Sequence, residues 1–384
     1  MKILYVASGI PVPGALGGST HVREVAAGLA ARGHQVHVIA ASTARANPAA
    51  LLRPQTRRLD GFTLHQIDLP KIASALADPL MLRIARAVQP DAIIERYYNF
   101  AGGGVRAAQR LGIPLLLEVN ALIIDPPAVR KRRIDDALGG PLRRLALAQC
   151  RAADRIITPL HTTVPEEIPR ERIVELPWGA AVERFVHVVP TWDNPPTIVF
   201  LGSFRGWHGV CDAVRACGTL LNSGRRLHGL LIGDGPERAA AEQLASRWPG
   251  SFTFAGAVAY EEVPALLGRA AIGVAPFRTD AHPALQAAGF FWSPLKVYEY
   301  MAAGLPVVLP DIAPLHTIVR DSGEGALYAE GDLAALAQAI ARLLDDPPAA
   351  RAMGERGRTR VTAHYSWAAH CAALEQLLVQ VMHR

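Results

Sequence analysis

Short apolar runs alternate with longer amphipathic stretches along almost the whole chain, and no other feature restricts the fold as strongly. A strand buried on both faces of a sheet reads as a continuous apolar run, and the helix that returns the chain to the next strand carries a helical period. The alternation predicts βαβ units on parallel sheets. In the first half, strands are expected at 3–7, 35–40, 63–67, 92–95, 115–119 and 155–158, with helices such as 22–32 and 80–88 between them. The pattern lapses around 173–179 and turns irregular and proline-rich through 188–196, the best domain boundary in the chain. A second series follows at 197–201, 229–232, 252–254, 272–275, 307–309 and 326–328, and an amphipathic helix is expected at 367–382. Two doubly wound α/β domains suit 384 residues of which half are hydrophobic. In such sheets ligands bind outside the carboxyl ends of the strands, so chemistry is sought there.

Composition removes several classes. The net charge of +6 is mild for this length, and no basic stripe is interleaved with aromatics, which argues against a nucleic-acid partner. Cys150, Cys211, Cys217 and Cys371 match no metal or redox spacing and read as reduced thiols of a cytoplasmic protein. The apolar opening 1–7 breaks at Ser8-Gly9-Ile10-Pro11, too short for a signal peptide. No run approaches the ~20 apolar residues that cross a bilayer. A soluble or peripheral protein is expected.

The segment from Ser293 to Leu309 carries the strongest chemical signal. Ser293 and Pro294 predict a helix start, a capping hydroxyl followed by a residue that needs no N–H partner. Leu295 and Lys296 then fall in the first turn, where free N–H groups and the helix dipole favour an anion. Lys296 and Glu299 share one face, Gly304 closes the helix and Pro306 lies beyond it. Lys296 would hold a phosphate and Glu299 a ribose diol; an i,i+3 salt bridge explains the spacing equally well.

Other strand ends carry weaker signals. Gly17-Gly18, after the first strand, permit close backbone approach to a ligand, although a structural turn accounts for them too. Gly202-Ser-Phe-Arg205-Gly-Trp-His208-Gly209 occupies the matching place in the second half. Arg205 suits a diphosphate through its planar fork, and His208 would act as a donor or a helix cap. Gly233-Asp-Gly235-Pro236 would line a base pocket or simply turn. Glu95-Arg96 and Glu118-Val-Asn120 bring polar groups to buried strand exits, where they either pair with one another or bind a ligand. The basic run 130–133, continued by arginines to 155, reads as a solvated helix face or as a contact with anionic lipid or an anionic acceptor.

In their order these pieces resemble the retaining, nucleotide-sugar-dependent glycosyltransferases of family 4 (glycosyl transferases group 1). The resemblance rests on Gly17-Gly18 leading to Gly33-His34, Leu176-Pro-Trp-Gly179, Phe200-Leu-Gly202, Leu231-Ile-Gly233-Asp-Gly235-Pro236, Ala275-Pro-Phe277, and Lys296 through Glu299 to Pro306-Val-Val. It implies the GT-B fold, two Rossmann-like doubly wound domains facing a central cleft. Residues 1–190 would bind the acceptor, 191–365 the nucleotide sugar, and 366–384 would form a helix packing back toward the first domain. Carried over by position, Glu299 would hold the ribose, and Lys296 with Arg205 the diphosphate. Gly17, Gly18, Gly202, His208, Gly233, Ser293, Pro294 and Leu295 would complete the donor site. Asn120 would stand close to the reacting sugar and act with Arg205 and Lys296 in catalysis. His21, Arg96, Glu118 and Asn120 would meet the acceptor.

The chain departs from the family pattern at three places. Phe291 replaces the first of two glutamates spaced eight apart, Ser203 and His208 replace an arginine and a lysine, and Asn120 replaces a histidine. The implied activity is transfer of a hexose-type sugar from a nucleotide diphosphate sugar to a hydroxyl acceptor, with retention. No cofactor or metal is expected beyond the co-substrate, a UDP-sugar first and a GDP- or ADP-sugar next. The acceptor is a small molecule, a glycan or a lipid. Two rivals stay open: a nucleotide-sugar epimerase on the same fold, and a nucleotide-sugar-binding protein without catalysis.

Overall fold

A computed structural model describes residues 1–14, 17–42, 54–67, 74 and 76–383; Ala15 and Leu16 of the glycine-rich turn lie outside them. The chain forms two compact units: Met1–Trp178 with Trp367–Arg384, and Gly179–Ser366.

In the first unit the strands are β1 (Lys2–Pro11), β2 (Gln35–Ala41), β3 (Gln55–Leu59), β4 (Phe62–Ile67), β5 (Ala92–Arg96), β6 (Leu115–Glu118), β7 (Arg155–Thr158) and β8 (Ile173–Glu175). Among the described residues they make one sheet, in the order β3-β4-β2-β1-β5-β6-β7-β8. Ile3, Leu4, Tyr5, Val6 and Ala7 are fully buried because helices cover β1 on both faces. The sheet is parallel apart from β3, which folds back on β4 through Asp60-Gly61, both at positive φ. Sequence reasoning missed β3 and β8. The first is the polar segment Gln-Thr-Arg-Arg-Leu, and the second has three residues where the apolar pattern lapses.

In the second unit the strands are β9 (Thr197–Leu201), β10 (His228–Ile232), β11 (Phe252–Gly256), β12 (Ile272–Val274), β13 (Val307–Pro310) and β14 (Gly325–Tyr328). Their order is β11-β10-β9-β12-β13-β14, all parallel, the doubly wound arrangement with its reversal between β9 and β12. Phe200, Phe204, Val210, Val214, Leu231, Ile272, Leu336 and Ile340 form its core. The first unit reverses in the same way between β1 and β5.

The last helix, Trp367–Met382, belongs to the first unit and packs on the helix Gly17–Ala31. Gly28 leaves room there for Cys371, and the Glu375 carboxylate takes hydrogen bonds from Arg32 and, at 2.7 Å, from His34 Nε2. All four cysteines are free and buried.

Candidate functional site

Two clusters of polar side chains lie at the carboxyl ends of the two sheets, each at the point where strand order reverses. In the second unit the helix Leu295–Ala302 starts in that crevice. It begins one residue later than expected: Pro294 is the N-cap and no side chain caps it, while the Ser293 carbonyl accepts from Leu295 N–H at 3.0 Å. Proline carries no side-chain oxygen that could accept from the N–H groups of the first turn. At the other end, Gly304 N–H bonds to Met301 and Leu305 N–H to Tyr300, with Gly304 at φ +77, a left-handed termination that favours glycine.

Lys296 is 7 % exposed and its ammonium lies 4.2 Å from the centre of the Phe200 ring and 5.0 Å from that of Phe277. A Cβ on Gly202 would stand 2.9 Å from Nζ, so the glycine makes the space the lysine occupies. Among the described residues Nζ has no hydrogen-bond partner. Burial lowers the ammonium pKa to about 7, against a smaller pull from Glu299. Lys296 and Glu299 form no ion pair, which corrects the salt-bridge reading of their spacing. Glu299 takes a hydrogen bond from Tyr260 instead, and burial raises its carboxyl to about 7.

The Gly206–His208 turn follows β9. His208 Nδ1 is 2.8 Å from the Ser203 carbonyl and so carries the proton, leaving Nε2 with its lone pair. Burial, and then the charges of Lys296 and Arg205, push His208 down to about 3. It is neutral at pH 7 and caps no helix, since Gly209 is the N-cap of Val210–Asn222. Arg205 is exposed, with its guanidinium 5.3 Å above the Trp207 ring, and makes no ion pair among the described residues. The charges of Lys296 and Arg205 thus both act on one imidazole. Gly233, at φ +133, faces Gly202 so closely that any Cβ would collide with the Gly202 carbonyl. Its N–H is taken by Gly256 O at 2.8 Å, so it braces the crevice rather than offering a donor. Phe291 is buried against Trp292.

Sequence reasoning missed three parts of this site. Phe200 and Phe277 box the ammonium, Tyr260 holds Glu299, and Trp207, His282 and Trp292 form a half-exposed aromatic group with centroids 4.7–6.0 Å apart. Trp207, next to His208, and the motifs Phe200-Leu-Gly202 and Ala275-Pro-Phe277 were the available signals.

In the first unit, Arg96 at the end of β5 donates to Glu118 at 2.7 Å and to His21 Nδ1 at 2.9 Å. Tyr5 O–H and the Asn120 amide also donate to Glu118, and Trp178 Nε1 donates to Asn120 Oδ1 at 2.6 Å. Burial alone would depress the guanidinium, but Glu118 and Tyr5 outweigh it and hold Arg96 above its ordinary pKa. Burial, then Arg96 and His370, push His21 well down, and its Nε2 has no partner among the described residues. His21, Arg96 and Glu118 are thus buried and committed to one another; Asn120 is the half-exposed member. Gly18 lies beside Arg96 and Gly17 beside Trp178. Glu95 belongs to the fold: it accepts from Gly102 and Gly104 N–H at the start of the helix Gly103–Leu111, and burial raises its carboxyl to about 8.

Among the described residues no three His, Cys, Asp or Glu side chains are placed to hold a metal, and no helix is long and apolar enough to cross a membrane.

Two family models match: "Glycosyltransferase Family 4" over residues 16–166 and "Glycosyl transferases group 1" over 195–346. A 2-deoxystreptamine glucosyltransferase of Streptomyces kanamyceticus is 28 % identical over 279 residues, covering 66 % of this chain and 67 % of the relative. A GDP-mannose-dependent alpha-mannosyltransferase of Mycolicibacterium smegmatis is 25 % identical over 97 % of this chain and 96 % of its own length. Among solved structures, sucrose-phosphate synthase from Thermosynechococcus elongatus superposes with a TM-score of 0.71 at 20 % identity, covering 100 % of this chain and 99 % of that one. An Anabaena protein in complex with UDP and glucose gives 0.68 at 16 % identity, covering 99 % and 100 %. With one model on each half and the same doubly wound sheets, the chain belongs to the family 4, group 1 glycosyltransferases and has the GT-B fold.

Proposed function

We propose that this glycosyltransferase moves a hexose-type sugar from a nucleotide diphosphate sugar to a hydroxyl acceptor, with retention at the anomeric carbon. The observation that carries the reading is the buried, unpartnered Lys296 ammonium in the crevice of the second sheet. A cation kept out of water without a counter-charge is costly, and a diphosphate would supply that charge. Arg205 adds a second cation on the exposed side. Glu299, one helical turn further on, would accept from a ribose diol in its ionised form.

In the reaction the bond between the anomeric carbon and the β-phosphate oxygen breaks, and its electron pair goes to that oxygen. The acceptor hydroxyl bonds to the same face of the carbon, and its proton passes to the departing phosphate. Negative charge grows on the diphosphate as the bond opens, so Lys296 and Arg205 stabilise the transition state more than the ground state. Asn120, with its amide oriented by Glu118 and Trp178, would hydrogen-bond the reacting sugar. A relative named as GDP-mannose-dependent supports a nucleotide-sugar donor, and one named as a glucosyltransferase supports a hexose.

Calorimetry with UDP, GDP and ADP, then transfer assays with the matching sugar donors, tests the reading. Lys296→Ala is expected to lower turnover by roughly 10²–10³-fold, the scale of losing one preorganised charge-stabilising group. Wild-type turnover in that variant, or failure of the intact protein to bind any of the three diphosphates, would overturn it.

A further inference from the structure

The helix Arg130–Ala137 is amphipathic in the wrong sense for a helix packed on a core. Its carboxylate Asp135 is turned inward and is 5 % exposed, while Ile134 is 51 % and Leu138, the C-cap, 69 % exposed. Arg130, Ile134 and Leu138 follow at four-residue spacing and so form one outward stripe, with Arg133 beside it. The inward acid fixes the corner. Asp135 accepts from Leu142 N–H at 2.7 Å and Arg143 N–H at 3.1 Å, starting the helix Pro141–Ala152 just after the positive-φ pair Gly139-Gly140. That turn brings Arg143 and Arg144 to the same corner, both exposed. Lys131 and Arg132 are neutralised by Asp125 and Asp136, at 2.5 and 2.8 Å. Arg130, Arg133 and Arg143 make no ion pair among the described residues.

We propose that this corner seats the first unit on an anionic lipid bilayer. Ile134 and Leu138 enter the boundary between headgroups and acyl chains, while Arg130, Arg133 and Arg143 meet lipid phosphates. Residues 130–144 hold six cationic side chains against two acidic ones, so the patch is complementary to a negative surface. The exposed aliphatic pair selects lipid over nucleic acid, since RNA offers phosphate but no apolar layer, and the patch holds no aromatic ring for base stacking. The seat is independent of the donor chemistry proposed above.

Co-sedimentation of the full chain with phosphatidylcholine vesicles, with and without phosphatidylglycerol, tests it. Binding is expected only when phosphatidylglycerol is present and should weaken as salt is raised. Replacing Arg130, Arg133 and Arg143 by Ser should lower partitioning on the order of 100-fold, about 5-fold per arginine. Ile134→Ser with Leu138→Ser should lower it by at least about 10-fold while leaving the charge unchanged. All of these side chains are exposed, so both variants should melt as the parent does, and melting is measured alongside. No sedimentation with anionic vesicles at low salt overturns the proposal. Wild-type partitioning by the Ile134/Leu138 variant does so too. Binding to single-stranded RNA through the three arginines, without vesicle binding, would assign the patch to nucleic acid instead.

Discussion

Lys296 holds an ammonium where water cannot reach it, and two measurable consequences follow from that one side chain. An unfolded lysine keeps its proton up to about 10.4, whereas folded Lys296 releases it near about 7. Between those values the unfolded chain binds more protons, so this residue makes stability rise with pH from neutral toward 10. Lys296→Met is therefore expected to raise the unfolding free energy at pH 7 by roughly 2–4 kcal/mol, read by urea denaturation, while nucleotide binding is lost. A destabilised variant would mean that the ammonium has a partner in the folded protein. A bound diphosphate restores the missing counter-charge and returns the pKa toward its ordinary range. Binding at pH 8 should then take up about one proton, visible as a dependence of calorimetric heat on buffer ionisation enthalpy. Zero uptake would detach the lysine from the phosphate.

At the scale of elements, the site is made by glycines that let two loops touch. Gly233 meets the carbonyl of Gly202, and Gly202 in turn makes room for Lys296. Gly233→Ala must push Gly202 away, and φ +133 is closed to alanine. This substitution is expected to cost about 2–4 kcal/mol of stability and at least about 10-fold in nucleotide affinity, since a 1 Å shift of a positioned group costs that or more. Unchanged affinity in a folded Gly233→Ala protein would break the link from loop to lysine. The strands bounding these loops were legible in sequence to within a few residues, because each is an unbroken apolar run. The polar strand β3 was not, although Asp60-Gly61 already marked its hairpin. Lys296 was legible from its place after Ser293-Pro294. Its box was not, because Phe200 and Phe277 come from distant segments and look like ordinary core residues. Likewise Arg96 and Glu118 were legible as polar groups at strand ends, and His21 and Trp178 only through the family resemblance, while Tyr5, which ties Glu118 into place, looks like an ordinary core residue.

On the scale of the molecule, the second unit is one continuous stretch, Gly179–Ser366, whereas the first is assembled from two pieces of chain. A protein comprising 179–366 alone keeps its whole sheet and core, so it should fold and bind nucleoside diphosphate with the affinity of the full chain, as calorimetry would show. The segment 1–178 alone loses the helix Trp367–Met382 and uncovers the surface that Cys371, Leu374 and Leu378 bury. It should aggregate or melt far below the intact protein, and recover when the helix is supplied as a peptide or fused through a short linker. A well-behaved 1–178 fragment would show that the helix is an ornament.

That discontinuity gives the chain an order of completion. On the ribosome the first sheet emerges early, yet the helix it requires arrives only after the entire second unit has been made. The early-born half must wait, partly open, while the later-born half closes. A product released before residue 367 would carry a folded second unit and a first unit that proteases can still enter, so this helix acts as a seal that separates the closed protein from interrupted synthesis.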